Sequence, residues 1–126
     1  MSLVPRIHPK EEGMAIGIKK GAVVKDLSSQ MLIAIGYLWG IFLRLFNVQL
    51  VITSGTDSIH SINSLHYSGR AIDIRIRDFS PRNLQAAYNI VKEDLDTVGF
   101  DVVMEKDHIH VEWDPKRGEE LTKEVA

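Results

Sequence analysis

The order of apolar and polar positions divides the chain into an irregular start and six regular segments. Residues 1–25 carry Pro5, Pro9, Gly13, Gly17 and Gly21 and read as an irregular lead-in, with AIGI and AVV as short edge-strand candidates. Beyond it Leu27, Met31, Ile35, Leu38, Phe42 and Leu45 recur at steps of three and four, the mark of a helix with one wide apolar stripe. Asp26 or Ser28 can cap its start, and it ends near Asn47. Residues 48–54 (VQLVITS) are rich in β-branched side chains and predict a strand, 55–64 a polar loop, and 70–77 a second strand. Ser80 followed by Pro81 is a helix start, and Leu84, Ala87, Tyr88, Val91, Leu95 and Val98 mark that helix's apolar face up to Gly99. Residues 100–105 and 108–113 predict a hairpin around Lys106 and Asp107, and a charged tail covers 115–126. Helix, strand, strand, helix, strand, strand predicts a single α+β domain over 1–126. Its sheet is mainly antiparallel, with two helices packed on one face.

Composition narrows the chemistry. The 126 residues carry a formal net charge of −2, so no basic excess exists to neutralise phosphates and a nucleic-acid partner is not expected. There is no cysteine, which excludes disulfides, thiolate nucleophiles and Cys-based zinc sites. Any metal falls to His, Asp and Glu. The start, MSLVPRIHPKEEG, lacks the apolar core of a secretory signal. Cytoplasmic synthesis is expected, which suits a phage-encoded lysin or a virion-associated protein. Residues 27–43 are uncharged and approach the length of a membrane span, yet they include Ser28, Ser29 and Gln30 and are followed by Arg44. A buried core helix is the expectation, with no membrane partner. Gly36 and Gly40, in GxxxG spacing, are expected to pack closely against the sheet.

Strand alternation then sorts the polar residues. On the second strand Ile72, Ile74 and Ile76 share one face, and Ala71, Asp73, Arg75 and Arg77 the other. On the last strand Ile109, Val111 and Trp113 oppose His108, His110 and Glu112. The apolar faces belong on the helices. The opposite face gathers an Asp, two His and a Glu, a set suited to a metal or to acid–base work, or equally a polar outer face with incidental histidines.

The segment SLHYSGRAID, residues 64–73, resembles the S-x-H-x-x-G-x-A-x-D signature of the zinc D-alanyl-D-alanine carboxypeptidase family, which includes vancomycin-resistance dipeptidases and phage endolysin endopeptidases. It also looks like the Hedgehog signalling domain, which shares that fold. The family's second signature, a carboxylate shortly before H-x-H or a single His, has its counterpart in MEKDHIHVEW. The resemblance spans residues 48–113, about half the chain. It implies Zn²⁺ on His66, Asp73 and His110, a ligand chemistry that zinc accepts while keeping a position for water. It implies Asp107 as the carboxylate that takes the water's proton, with Glu105 as its rival. His108 would polarise substrate, stabilise the oxyanion or serve as a further ligand.

Ser64, Tyr67 and Glu112 are candidates to orient the ligands by hydrogen bonds. The implied substrate is a peptidoglycan peptide or a short peptide with D-amino acids. One departure stands out. Where many relatives carry an Arg in an S-G-x-R loop to stabilise the tetrahedral intermediate, this chain has Asp57. Arg70, Arg75 or His60 could supply the missing donor. The absent Arg also admits a second reading, a zinc-stabilised binding module with little or no catalysis.

Overall fold

A computed structural model describes residues 14–56 and 69–114. Ser28 opens the first helix because its side chain satisfies a backbone donor that a helix start leaves unpaired. Its Oγ accepts from the Met31 amide at 3.2 Å, and helix α1 runs over Ser29–Ile41. The backbone then widens into a π turn, Phe42–Phe46, and stops at Asn47 in the left-handed conformation, φ 53°. The stripe read from the sequence breaks at this turn, since the extra residue of a π turn rotates every later position about the helix axis. Met31, Ile35, Leu38 and Phe42 are buried, whereas Leu45 is 58% exposed.

Helix α1 is also less enclosed than expected. Its stretch Ser29–Phe46 is long and apolar enough to cross a membrane by length and composition, and 28% of it is buried. Gly36 and Gly40 do not pack on the sheet: a Cβ at either would meet nothing within 4 Å. With Ala34, Ile35 and Leu38 turned inward, the 3.6-residue period carries positions 36 and 40 away from the core.

The second helix, α2 (Pro81–Asp96), follows its sequence signals closely. Ser80 Oγ accepts from the Asn83 amide at 3.2 Å, Pro81 occupies the first turn, and Ala87, Val91 and Leu95 are buried. Val98 lies past the cap residue Thr97, so it leaves the apolar face and is 52% exposed.

Five strands form one sheet: β1 (Gly17–Ile18), β2 (Val51–Ser54), β3 (Ala71–Arg75), β4 (Phe100–Met104) and β5 (His108–Trp113), in the order β1-β2-β3-β5-β4. β1 lies parallel to β2, and the other three pairings are antiparallel. AIGI thus supplies an edge strand. AVV does not, and Val23 instead offers its carbonyl to the Thr56 amide at 2.8 Å. β3 stops at Arg75 rather than at residue 77 because its partner β5 begins opposite, at His108. Ile76 then turns its carbonyl to the Phe79 amide.

The core lies between the helices and one sheet face. Ile52, Ile72, Ile74, Val102, Ile109 and Val111 pack with Met31, Leu38, Phe42, Ala87 and Val91. Tyr37 of α1 donates to the Asp94 carboxylate of α2, and burial, reinforced by that bond, raises the tyrosine's pKa.

Candidate functional site

The face turned away from the helices carries the candidate chemistry. Register sets Asp73 opposite His110, Arg75 opposite His108 and Ala71 opposite Glu112. An alternation read from two separate strands is therefore one continuous polar surface. His110 Nδ1 lies 2.8 Å from Asp73 Oδ1, and its Nε2 lies 3.2 Å from Glu112 Oε2. The His110 pKa is raised, first by the bond to Asp73, with burial opposing and Glu112 adding to the rise. His108 points its Nε2 at the same Asp73 oxygen, 3.6 Å away. Its Nδ1 is held by Asp107 Oδ1 at 2.6 Å. That bond lowers the pKa of Asp107, whose side chain is 85% exposed.

His110 Nδ1 and Asp73 Oδ1 sit at a hydrogen-bond separation of 2.8 Å, shorter than the ~3.3 Å edge of a tetrahedron with ~2.0 Å metal bonds. Imidazole nitrogen and carboxylate oxygen are the donors zinc takes in the absence of cysteine. Asp73 and His110 thus have the donor chemistry for such an ion. Among the described residues no group of three or more His, Asp or Glu is arranged to hold one. The third expected ligand, His66, lies outside the described residues, as do His60, Ser64 and Tyr67.

Gly55, Thr56 and Gly69 are anchored by the lead-in. A Cβ on Gly55 would fall 2.3 Å from the Val23 carbonyl oxygen, and one on Gly69 would fall 2.2 Å from that of Asp26. Gly69 also has φ +71°, a region that favours glycine. Thr56 donates its amide to Val23, and Ser28 donates its amide to Gly69. Residues 23–28 therefore hold Thr56 and Gly69 in place.

The remaining candidates separate by position. Glu105 is exposed at the hairpin turn, where its amide bonds the His108 carbonyl at 2.9 Å. Arg70 precedes β3 with the parity of Ile72, not that of Asp73. Arg75 shares the Asp73 face and lines a pocket of about 290 Å³ with Lys19, Thr53, Arg77, Asp107 and His108.

Sequence reasoning missed Lys19 and Thr53. The only hint of Lys19 was that it follows AIGI. Thr53 sits where a register shift interrupts the β2–β3 ladder, and such bulges re-aim side chains. Ser54 was missed too: it pairs with Asp73 across that ladder, and its buried Oγ has no hydrogen-bond partner among the described residues.

The α+β architecture, with both helices on one face of a five-stranded sheet, is consistent with a Hedgehog and DD-peptidase-like fold. Residues 15–112 match the Hedgehog amino-terminal signalling domain family, and the chain belongs to that family. Comparison with curated proteins gives no match.

Proposed function

We propose that the chain is a zinc-dependent peptidase that hydrolyses short peptide bonds, with bacterial cell-wall peptidoglycan as the substrate class. The observation that carries this reading is the register of β3 on β5. It sets His110 against Asp73 and turns His108 Nε2 to the same carboxylate.

Asp73 and His110 would hold the ion, with His66 as the third ligand. When bound, zinc supplies a Lewis acid and a water acidic enough to attack near neutral pH. Glu112 orients the His110 ring through Nε2. Asp107 is exposed, and its bond to His108 weakens it as a base. It therefore acts as a positioning residue that fixes the His108 ring, leaving Nε2 on the site side to hold or pass a proton. Glu105, two residues before Asp107, is the alternative carboxylate for that transfer.

Metal analysis combined with digestion of purified peptidoglycan, read by mass spectrometry, tests the reading. Stoichiometric zinc and released peptide fragments are expected, with both lost in Asp73→Asn and the rate reduced in Asp107→Ala. Zinc without any cleavage would replace it with the second reading, a zinc-stabilised binding module. The family match to a signalling domain and the aspartate at position 57 favour that alternative.

A further inference from the structure

Helix α1 carries on its outward side an apolar surface that none of the described elements covers. Its inward positions are Met31, Ala34, Ile35 and Leu38, so the 3.6-residue period turns Ile33, Gly36, Gly40 and Arg44 outward along one line. Gly36 and Gly40 floor a trough of about 370 Å³, walled by Trp39 and Tyr37. Both rings are held in place: Trp39 Nε1 donates to the Met14 carbonyl at 3.2 Å, and Tyr37 donates to Asp94. One turn before the trough stands Ile33, 74% exposed. The surface thus offers a fixed hole and, beside it, a protruding side chain.

Leu32, Ile33, Trp39 and Leu45 are all exposed and together bare roughly 400 Å² of apolar surface, the size at which a patch on a monomer marks an interaction site. Two such patches face to face bury roughly 800 Å² before Tyr37 and Arg44 are added, which reaches the low end of specific protein interfaces. A membrane fits this face less well. Arg44 is the one charge between residues 29 and 46, whereas a helix that lies on lipid carries a face rich in Lys and Arg. A net charge of −2 also gives no attraction to anionic headgroups.

We infer that two copies of the chain pair through α1, antiparallel about a two-fold axis, with Ile33 of each copy seated over Gly36 and Gly40 of the other. A surface that holds both a knob and its hole is self-complementary, as a two-fold interface requires. Spacing sets the register. Ile33 lies about five residues, ~7.5 Å, from the centre of the trough, so the axis passes halfway, near residues 35 and 36. The same rotation brings Arg44 alongside residue 27 of the other copy, next to Asp26. Arg44 and Asp26 are both exposed, and among the described residues neither has an ion-pair partner. Charge complementarity therefore selects the antiparallel orientation, since a parallel one sets Arg44 against Arg44. The inference is independent of the peptidase reading: α1 packs on the sheet face opposite His110, and pairing leaves both polar faces outward.

Sedimentation velocity of the full chain over a wide concentration range tests this, with the dimer dissociation constant as the readout. A reversible dimer in the micromolar range is expected. Ile33→Gln and, separately, Gly36→Gln/Gly40→Gln should each weaken it about tenfold or more. A Cβ at either glycine meets nothing within 4 Å, and glutamine is a better helix former than glycine. The thermal midpoint of the glycine variant should therefore not fall below that of the wild type where both are monomeric, which separates lost pairing from lost folding. Arg44→Gln and Asp26→Asn should each weaken pairing about threefold, and together no more than either alone, because they remove the same contact. Asparagine keeps the left-handed backbone of Asp26, φ 61°.

A chain that stays monomeric, or a dimer untouched by the Ile33 and glycine variants, overturns the inference. Independent, multiplying effects of Arg44→Gln and Asp26→Asn overturn the antiparallel register. A monomer that co-sediments with phosphatidylcholine–phosphatidylserine vesicles, and ceases to in Ile33→Gln, overturns the inference in favour of a lipid surface.

Discussion

The two faces of the β3–β5 ladder are built from the same ten or so residues, yet they hold opposite contents. On one face Ile72, Ile74, Ile109 and Val111 are almost completely shielded from water. On the other, Asp73, Arg75, His108, His110 and Glu112 stand in register, half-buried and ionisable. Backbone pairing is common to both, so the hydrogen bonds that align the core also align the candidate site. A strand's period of two lets neighbouring positions serve stability and chemistry separately. Substitutions on the two faces should therefore read out on different instruments.

The largest effect belongs to the core face. Ile72→Ala removes a fully buried side chain and should cost about 2–5 kcal/mol, measured by urea denaturation. Zinc stoichiometry of the remaining folded protein should match the wild type, and its loss would show that the faces are not separable.

Next is Gly69→Ala, where core and site meet at the entrance to β3. The residue combines a positive φ with a backbone oxygen 2.2 Å from the would-be Cβ, so a penalty of about 1–3 kcal/mol is expected from strain. Because Gly69 follows the expected ligand His66 by three residues in the chain, zinc affinity should fall with stability. A smaller change, Asp73→Asn on the site face, should cost only about 1 kcal/mol of metal-free stability while abolishing zinc binding, as read by calorimetry.

Much of this division was legible in the sequence. Ser80 and Pro81 announced α2. Alternation placed Asp73, Arg75, His108, His110 and Glu112 on their faces, because period and caps are local signals. What escaped depends on contacts distant in sequence. Nothing local to Gly17 and Ile18 announces a parallel partner at Val51 and Ile52, and so nothing announces Lys19 in a pocket with Arg75. The π turn that frees Leu45 replaces one helical hydrogen-bond pattern with another at the same composition. The open surface at Gly36 and Gly40 was misjudged because GxxxG spacing specifies closeness to a partner without specifying which partner. The site itself was legible in half: Asp73 and His110 are brought together, while His60, Ser64, His66 and Tyr67 fall outside the described residues.

The gentlest probe uses pH and acts on the contact between Asp73 and His110. The pair raises the histidine's pKa in the folded protein, so folding favours the protonated ring. Its stabilising contribution is complete below the unfolded histidine value of about 6.5 and declines as pH rises through the higher folded value. The metal-free wild type should accordingly lose its advantage over Asp73→Asn as pH is raised from about 6, when thermal midpoints are compared at each pH. A ligand nitrogen must be unprotonated to bind a metal, so zinc should reverse the slope. The midpoint gain on adding zinc to the wild type should grow over the same interval. An advantage over Asp73→Asn that stays constant with pH would show that the 2.8 Å contact is not an ion pair in solution. A zinc-induced gain that shrinks with rising pH would remove His110 from the ligand set and leave the core face as the only part of this ladder with a settled role.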